Sequence, residues 1–440
     1  MSRLFTIICF TLLPTLIVNA QQDRYALPSV EAENDLPGEG KLRRYNGYVS
    51  TWQRLRSQWA TQVDQDQKAV VFLGDSITQG WTPTFRGHFD GMKLANRGIG
   101  GDTTRGMLIR LQEDVLSLNP SAVVILMGTN DIEVQIPPAM IARNFSKIIA
   151  ALKTHNSTMP IVLCRIFPSS ATKKRPTETI QQVNLLFDNI VRNDPQITVI
   201  DTFKFFDDGN GNAIPEYFPD LLHLNADGYA KWARAMKPIF ATLGFSETEP
   251  DNFQLEEGYR SLFNGQDLTG WGFRPTPPRN PPKNPRPNAP VFPVVKEAEH
   301  FDGKTKSSDG RYQAIHGRLV VTTPAEGRRI QQLWTTAEFG KDFTLKLEFR
   351  ATPNADSGVF IRKPQLQCRD YLLAGPYTEL KKYKPQDWNE LIVMVKGGVA
   401  RATCNGELLT DNMKVPETGP IGLEGDRGQM EYRRIRIKID

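Results

Sequence analysis

Cysteine and histidine are scarce in this chain, with 4 Cys and 5 His in 440 residues. No Cys-x-x-Cys pair occurs, and His88, His155, His223, His300 and His316 are scattered, which excludes the close ligand spacing of a zinc site. The run Asp207-Asp208-Gly209-Asn210-Gly211-Asn212 lacks the Gly at the sixth position, where Asn212 stands, and the closing Glu that a calcium loop needs, and it reads as a surface turn. No metal or other cofactor is therefore expected. Lys and Arg form no run and do not alternate with aromatics, and the net charge is only +5, so nucleic acid is not an expected partner. After Val18 no stretch is apolar enough to cross a bilayer, and no internal repeat is visible.

What is present begins with residues 1–20. Arg3 supplies a charged start, Leu4 to Val18 an apolar stretch interrupted by Pro14, and Val18-Asn19-Ala20 a small-residue cleavage site. The stretch is short for a membrane anchor, so a signal peptide is expected, with a periplasmic or extracellular protein free of the membrane after its removal. Cys9 would leave with the leader; Cys164, Cys368 and Cys404 remain. Export permits a Cys368–Cys404 disulfide, whereas Cys164 sits in an apolar run and reads as a buried thiol. Asn144 and Asn156 open glycosylation sequons, the first inside a predicted helix.

The length exceeds what one core supports, so two domains are expected, over residues 21–245 and 258–440 with an acidic, polar linker at 246–257. In the first, apolar strands at Ala69–Leu73, Ala122–Met127, Ile161–Phe167 and Ile197–Ile200 alternate with helices. The helical stripes are Ile141, Phe145, Ile148, Ile149, Leu152; then Val183, Leu186, Phe187, Ile190, Val191; then Trp232, Met236, Ile239, Phe240, Leu243. This alternation predicts a parallel sheet covered on both faces. Beyond the linker the period becomes two, at Phe343, Leu345, Leu347, Phe349, at Leu391, Val393, Val395 and at Ile435, Ile437, Ile439, which predicts antiparallel sheet. Prolines between Arg274 and Pro293 mark an irregular surface excursion.

Four short blocks carry chemistry: Gly74-Asp75-Ser76, Asn96 to Asp102, Gly128-Thr129-Asn130-Asp131 and Asp220-Leu221-Leu222-His223. Ser76 follows a strand, at the sheet edge where open α/β folds place ligands. A serine hydroxyl needs a base to attack an acyl carbon. His223 is the candidate, because imidazole, with an ordinary pKa of about 6.5, is available unprotonated near neutral pH. Asp220, three residues earlier, can hold the working tautomer. The competing reading of His223 is a cap for the helix that begins near Asn225. The negative oxygen formed by attack requires donors, for which the Ser76 and Gly101 N–H groups and the Asn130 side-chain amide are candidates. The glycine-rich run has neither the Lys of a phosphate loop nor dinucleotide-site spacing.

These blocks resemble the SGNH hydrolases of the GDSL esterase and lipase superfamily, and Asn96 to Arg105 is similar to the branch containing platelet-activating-factor acetylhydrolase subunits. The resemblance, over roughly residues 65–243, implies a flavodoxin-like α/β fold with Ser76, Asp220 and His223 as triad and Gly101 and Asn130 as oxyanion donors. The second half, about 256–440, is similar to the 3-keto-disaccharide hydrolase or 3-keto-glucoside lyase-like family through Ser261 to Trp271, Asp356 to Arg362, Trp388-Asn389-Glu390, Cys404-Asn405-Gly406 and Gly419 to Leu423. That resemblance implies an all-β concanavalin-like jelly roll with Asp356, Arg362, Gln367, Asp370 and Glu424 as candidate sugar-site residues. Gln365 stands where that family commonly has Glu, and Arg427 where it often has His, which weighs toward glycan binding over sugar cleavage.

The expectation is a secreted serine esterase that hydrolyses short acyl esters, above all acetyl, on carbohydrate, with a C-terminal domain that engages the glycan. The alternatives are a C-terminal 3-keto-glycoside lyase or hydrolase with an auxiliary esterase, and a non-enzymatic surface adhesin.

Overall fold

The computed structural model describes residues 24–81, 84–192, 194, 196–246, 251–277, 294–322, 331–370 and 377–440. The expected leader and most of the proline-rich excursion lie outside the described residues. The chain divides into two compact units, one of Met1–Thr82 with Lys93–Met159, the other of Pro83–Met92 with Pro160–Asp440.

The first unit runs α1 (Asn46–Ala60), β1 (Val70–Gly74), α2 (Ser76–Gln79), β2 (Leu94–Gly98), α3 (Thr104–Asp114), β3 (Ala122–Ile125), α4 (Thr129–Glu133) and α5 (Pro138–His155). β1 pairs in parallel with β2 on one side and β3 on the other, with Phe72 opposite both Asn96 and Val124. Parallel strands covered by helices read as continuous apolar runs, and β1 and β3 are buried throughout. β3 ends before the expected Met127, because Leu126 and Met127 are buried in the loop that leads to α4. Burial does not separate a strand from a buried loop, so apolarity alone overshot the strand end.

All five stripe residues of α5 are buried. So is Asn144, whose side chain donates to Glu39 O at 2.9 Å and Thr104 Oγ1 at 3.1 Å, which removes that sequon from the surface. Beneath the helices lies a buried ionic network: Arg110 Nε meets Asp102 at 2.7 Å, Arg56 meets Asp114 at 3.0 Å and Arg97 meets Asp66 at 2.7 Å.

The second unit opens with β4 (Ile161–Cys164), α6 (Thr177–Val191), β5 (Ile197–Ile200), α7 (Thr202–Phe206) and α8 (Ala226–Thr242), and β4 and β5 pair in parallel. The stripe expected on α6 is corrected: Ile190 is 36% exposed and Leu186 half-buried, while Asn184 and Asp188 are buried. Asn184 bonds both Ile166 N at 2.8 Å and Ile166 O at 3.1 Å, and Asp188 pairs with Arg165 at 2.7 Å. Polar burial there pins the loop after β4, which ends at Cys164 and not at Phe167.

The remaining strands are β6 (Arg260–Ser261), β7 (Trp271–Phe273), β8 (Glu299–His300), β9 (Tyr312–Ile315), β10 (Arg318–Val321), β11 (Leu333–Thr335), β12 (Phe343–Ala351), β13 (Asp356–Ile361), β14 (Gln365–Arg369), β15 (Asn389–Lys396), β16 (Val399–Cys404), β17 (Glu407–Lys414), β18 (Ile421–Arg427) and β19 (Met430–Ile439). They form an eight-stranded sheet, β17-β16-β15-β12-β19-β10-β9 with β6 beside β19, and a six-stranded sheet, β14-β13-β18-β11-β7-β8. The period-two residues of β12 and β15 are buried, as are Ile435 and Ile437, whereas Ile439 at the end of β19 is 38% exposed.

The expected Cys368–Cys404 bridge does not form. Cys368 lies in the six-stranded sheet and Cys404 in the eight-stranded one, and both are buried free thiols, as is Cys164. Burial pushes the Cys164 and Cys404 thiols up to about 12. Among the described residues no helix is long and apolar enough to cross a membrane.

Candidate active site

Ser76 is the first residue of α2, directly after β1, and Asp75 caps that turn by accepting the Ile77 N–H at 3.0 Å. The loop after β2 must run against this turn, and a Cβ on Gly98 would stand 2.2 Å from Gln79 N, so only glycine fits. Gly100 N donates to Gln79 Oε1 at 2.5 Å, and a Cβ on Gly100 would reach Ser76 Cβ at 3.7 Å, so this loop passes alongside the serine. Gly101 holds φ +84°, a conformation that glycine adopts without strain. Asn130, in the first turn of α4, is 3% exposed, and its Nδ2 donates to Asp102 O at 2.9 Å. Ser76, Gly101 and Asn130 thus gather at the carboxyl ends of β1, β2 and β3.

Behind them lies a layer whose contacts the sequence did not show, although Asp102 and Asp131 close two of the four blocks. Asp102 is fully buried and accepts from Tyr48 Oη at 2.8 Å, Thr103 N at 3.0 Å and Arg110 Nε at 2.7 Å. Asp131 accepts from Thr104 N at 2.9 Å and Thr104 Oγ1 at 2.6 Å. Burial drives the Asp131 carboxyl up to about 7, against the Thr104 hydrogen bonds and with the Asp102 charge adding to the rise. Tyr45, 54% exposed, places its hydroxyl beside Gly101, where a Cβ would come within 2.4 Å of Oη. Both tyrosines flank or open α1, far upstream of every block, and no local pattern marks them.

In the second unit Asp220 and His223 are joined directly. Asp220 Oδ2 lies 2.8 Å from His223 Nδ1, and Oδ1 accepts the backbone N–H of Leu222 at 3.0 Å and His223 at 2.7 Å. Leu221 takes φ +63° to close the turn, and Ser169 Oγ donates to its carbonyl at 2.8 Å. Partial burial raises the Asp220 carboxyl, but the N–H donors and imidazole of His223 and the Leu222 N–H outweigh it and hold it at about 2. The capping reading of His223 is overturned: Asn225 caps α8 by accepting the Gly228 N–H at 2.9 Å.

The five residues considered for a sugar site separate. Arg362 is buried and donates to Pro416 O at 2.7 Å and Lys341 O at 2.6 Å, and Asp370 is buried and accepts from Asn354 N at 2.8 Å and Gln386 Nε2 at 2.9 Å. Both hold loops together. Asp356 pairs with Arg369 at 2.6 Å. Gln367 and Glu424 do come together, through Gln365: Gln367 Nε2 donates to Gln365 Oε1 at 3.0 Å and Gln365 Nε2 donates to Glu424 Oε2. Gln332 Nε2 reaches Glu424 Oε1 at 3.3 Å. Side chains alternate across a strand, and the buried neighbours Leu366 and Leu423 put this polar row on the face turned away from the core. Trp334 and Phe360, with ring centroids 5.0 Å apart over Gly422, share that face, and neither was among the sugar-site candidates read from the sequence.

Residues 72–231 match the model of the GDSL-like lipase/acylhydrolase family, and residues 258–438 match that of the 3-keto-alpha-glucoside-1,2-lyase-like domain. The chain is similar to platelet-activating factor acetylhydrolase IB subunit alpha2 of Bos taurus, 25% identical over 195 residues that cover 44% of this chain and 84% of the relative. It is also similar to subunit alpha1 of Pongo abelii, 25% identical over 48% of this chain and 87% of that one. A solved GDSL-like lipase from Bacteroides thetaiotaomicron is 24% identical with a TM-score of 0.38, covering 42% of this chain and 97% of that one. The protein is thus a hydrolase acting on esters, built on a parallel-sheet α/β domain with an antiparallel β domain after it. In particular, it carries a GDSL-like lipase/acylhydrolase domain followed by a 3-keto-disaccharide hydrolase-like domain.

Proposed function

We propose that the protein is an exported serine esterase that removes short acyl groups, acetyl above all, from carbohydrate. The observation that carries the reading is the Asp220–His223 pair, whose carboxylate is locked by two backbone N–H groups so that Nδ1–H is held and Nε2 is the proton acceptor. Ser76 Oγ attacks the ester carbonyl as His223 Nε2 takes its proton. The negative oxygen is met by the N–H groups of Ser76 and Gly101 and by Asn130 Nδ2. Collapse expels the sugar alkoxide, which recovers the proton from His223, and leaves an acyl-serine that water hydrolyses with the same base. Asp220 stays ionised throughout.

The acetyl preference is supported by the acetylhydrolase relatives, and the carbohydrate assignment by the second domain's family and by the Trp334, Phe360 and Gln365–Glu424 face. Gln365 in place of an acid beside Glu424 favours sugar engagement there over lyase chemistry. We assign residues 1–20 to a signal peptide, 21–245 to the esterase, 246–257 to a linker and 258–440 to the glycan-engaging domain.

The test is Ser76→Ala in the full chain. Release of nitrophenol from p-nitrophenyl acetate and of acetate from acetylated xylo-oligosaccharide should both vanish with the circular dichroism unchanged. Wild-type turnover in a folded Ser76→Ala protein overturns the reading.

A further inference from the structure

Within the second unit, the end of β5 and the loop after β4 meet at one carboxylate. Asp201, which follows β5 and is 7% exposed, caps α7 by accepting the Lys204 N–H at 3.1 Å with Oδ1. Its other oxygen, Oδ2, accepts from two side chains, Arg165 Nη1 at 2.6 Å and Asn354 Nδ2. Arg165 opens the loop after β4 and shares its guanidinium with Asp188 of α6 at 2.7 Å. Asn354 comes from the β domain, 153 residues further along the chain.

Asn354 is itself held. It takes φ +61° in the turn between β12 and β13, its N–H donates to Asp370 Oδ2 at 2.8 Å, and its carbonyl accepts Arg427 Nε at 2.8 Å. Gln386 Nε2 fixes Asp370 in turn at 2.9 Å. The amide therefore reaches Asp201 from a backbone already braced on both sides. The β domain also grips the far end of α8, where buried Gln429 donates through Nε2 to Pro238 O at 3.2 Å and to Thr242 Oγ1 at 3.0 Å.

The loop that begins with Arg165 leads to Ser169, which is 1% exposed and donates through Oγ to Leu221 O at 2.8 Å. Leu221, next to Asp220, holds φ +63°, a conformation that a residue with a side chain keeps only when its surroundings impose it. In the middle of the same loop Phe167 packs on Phe218, just before Asp220, with ring centroids 6.0 Å apart, and on Trp232 of α8 at 5.0 Å. One loop thus touches Asp201 at its start and the Asp220–His223 turn at its end.

We propose that the β domain is an integral part of the esterase: Asn354 is a positioning residue that acts through Asp201, Arg165 and the loop to Ser169 to hold the turn on which Asp220 and His223 meet. The proposal rests on the esterase reading above, in which His223 is the base. A base works only when held in one geometry, and a misplacement of about 1 Å caused by a distant change can cost about a hundredfold in rate. Asp370, first read as a sugar-site candidate, gains a task in ester hydrolysis as the anchor of Asn354.

Substitutions in the full chain test it. Asn354→Gly keeps the left-handed turn, which glycine adopts without strain, and deletes the amide. Ser169→Ala cuts the other end of the loop. Each should lower kcat on p-nitrophenyl acetate by about tenfold, with KM changed less than about twofold. Because both act on one turn, the double variant should also lose about tenfold, whereas independent effects would multiply to about a hundredfold. Circular dichroism and urea denaturation establish that each variant is folded under the assay conditions. Should Asn354→Gly not fold, Arg165→Lys takes its place, since one ammonium cannot serve Asp188 and Asp201 together as the guanidinium fork does. Wild-type kcat in any of these folded single variants, or a multiplicative double variant, overturns the proposal. Ser76→Ala separates the two readings: turnover that survives it removes the esterase assignment, whereas turnover lost in Ser76→Ala and unchanged in folded Asn354→Gly removes only the role of the β domain.

Discussion

The hydroxyl of Tyr48 donates to Asp102 Oδ1 at 2.8 Å, joining α1 to the loop that presents Gly101. Asp102 is wholly buried, and its carbonyl in turn receives Asn130 Nδ2 at 2.9 Å. One residue therefore ties two of the three oxyanion candidates, Gly101 and Asn130, to a helix that precedes all four sequence blocks.

Tyr48→Phe removes one donor from a buried carboxylate, which should cost about 1–3 kcal/mol of stability. If the bond also positions the Gly101 loop, kcat on p-nitrophenyl acetate should fall with KM little changed. Urea denaturation and steady-state kinetics read the two effects separately. Loss of stability with unaltered kcat would confine Tyr48 to a structural part.

Asn130→Ala should lower kcat by about a hundredfold to a thousandfold, the effect of removing one oxyanion donor. Asp220→Asn should be more severe, because an amide favours the wrong imidazole tautomer. A kcat within twofold of wild type for either variant, when folded, would contradict the assigned roles.

The Asp131 carboxyl, raised from 3.8 to about 7, predicts a pH effect on folding. Between those values the folded protein holds a proton that the unfolded chain has released, so stability falls as pH rises toward 7 and is level above it. Asp131→Asn removes this contribution. Its urea midpoint should decline less than that of wild type between pH 5 and pH 7.5, with Asp102 and Asp114, also raised by burial, responsible for the slope that remains.

Cys164, Cys368 and Cys404 are buried thiols with pKa values pushed upward, so Ellman's reagent should not label them in the native protein and should label all three in guanidinium. Reducing agent should leave Tm unchanged. A drop in Tm on reduction would show that a disulfide exists after all.

Much of the fold could be read directly. The β12 alternation of Phe343, Leu345, Leu347 and Phe349 and the α5 stripe of Ile141, Phe145, Ile148, Ile149 and Leu152 are buried as their periods require. Strand ends were less legible, because Leu126, Met127, Ile166 and Phe167 are as buried in loops as they would be in strands. The α6 stripe misled because Asn184 and Asp188 satisfy a loop backbone and an arginine inside, which displaces Ile190 outward.

Residue order alone carried the Gly74-Asp75-Ser76 turn after a strand, the Asp220–His223 pair and the switch from period 3.6 to period two, because each depends on neighbours a few positions apart. Folding settled what depends on distant segments meeting: Tyr48 against Asp102, Trp334 beside Phe360, and Cys368 and Cys404 in different sheets. Such contacts are set by strand register and packing in three dimensions, and hydrophobic periodicity along a chain does not encode which buried polar groups will find one another.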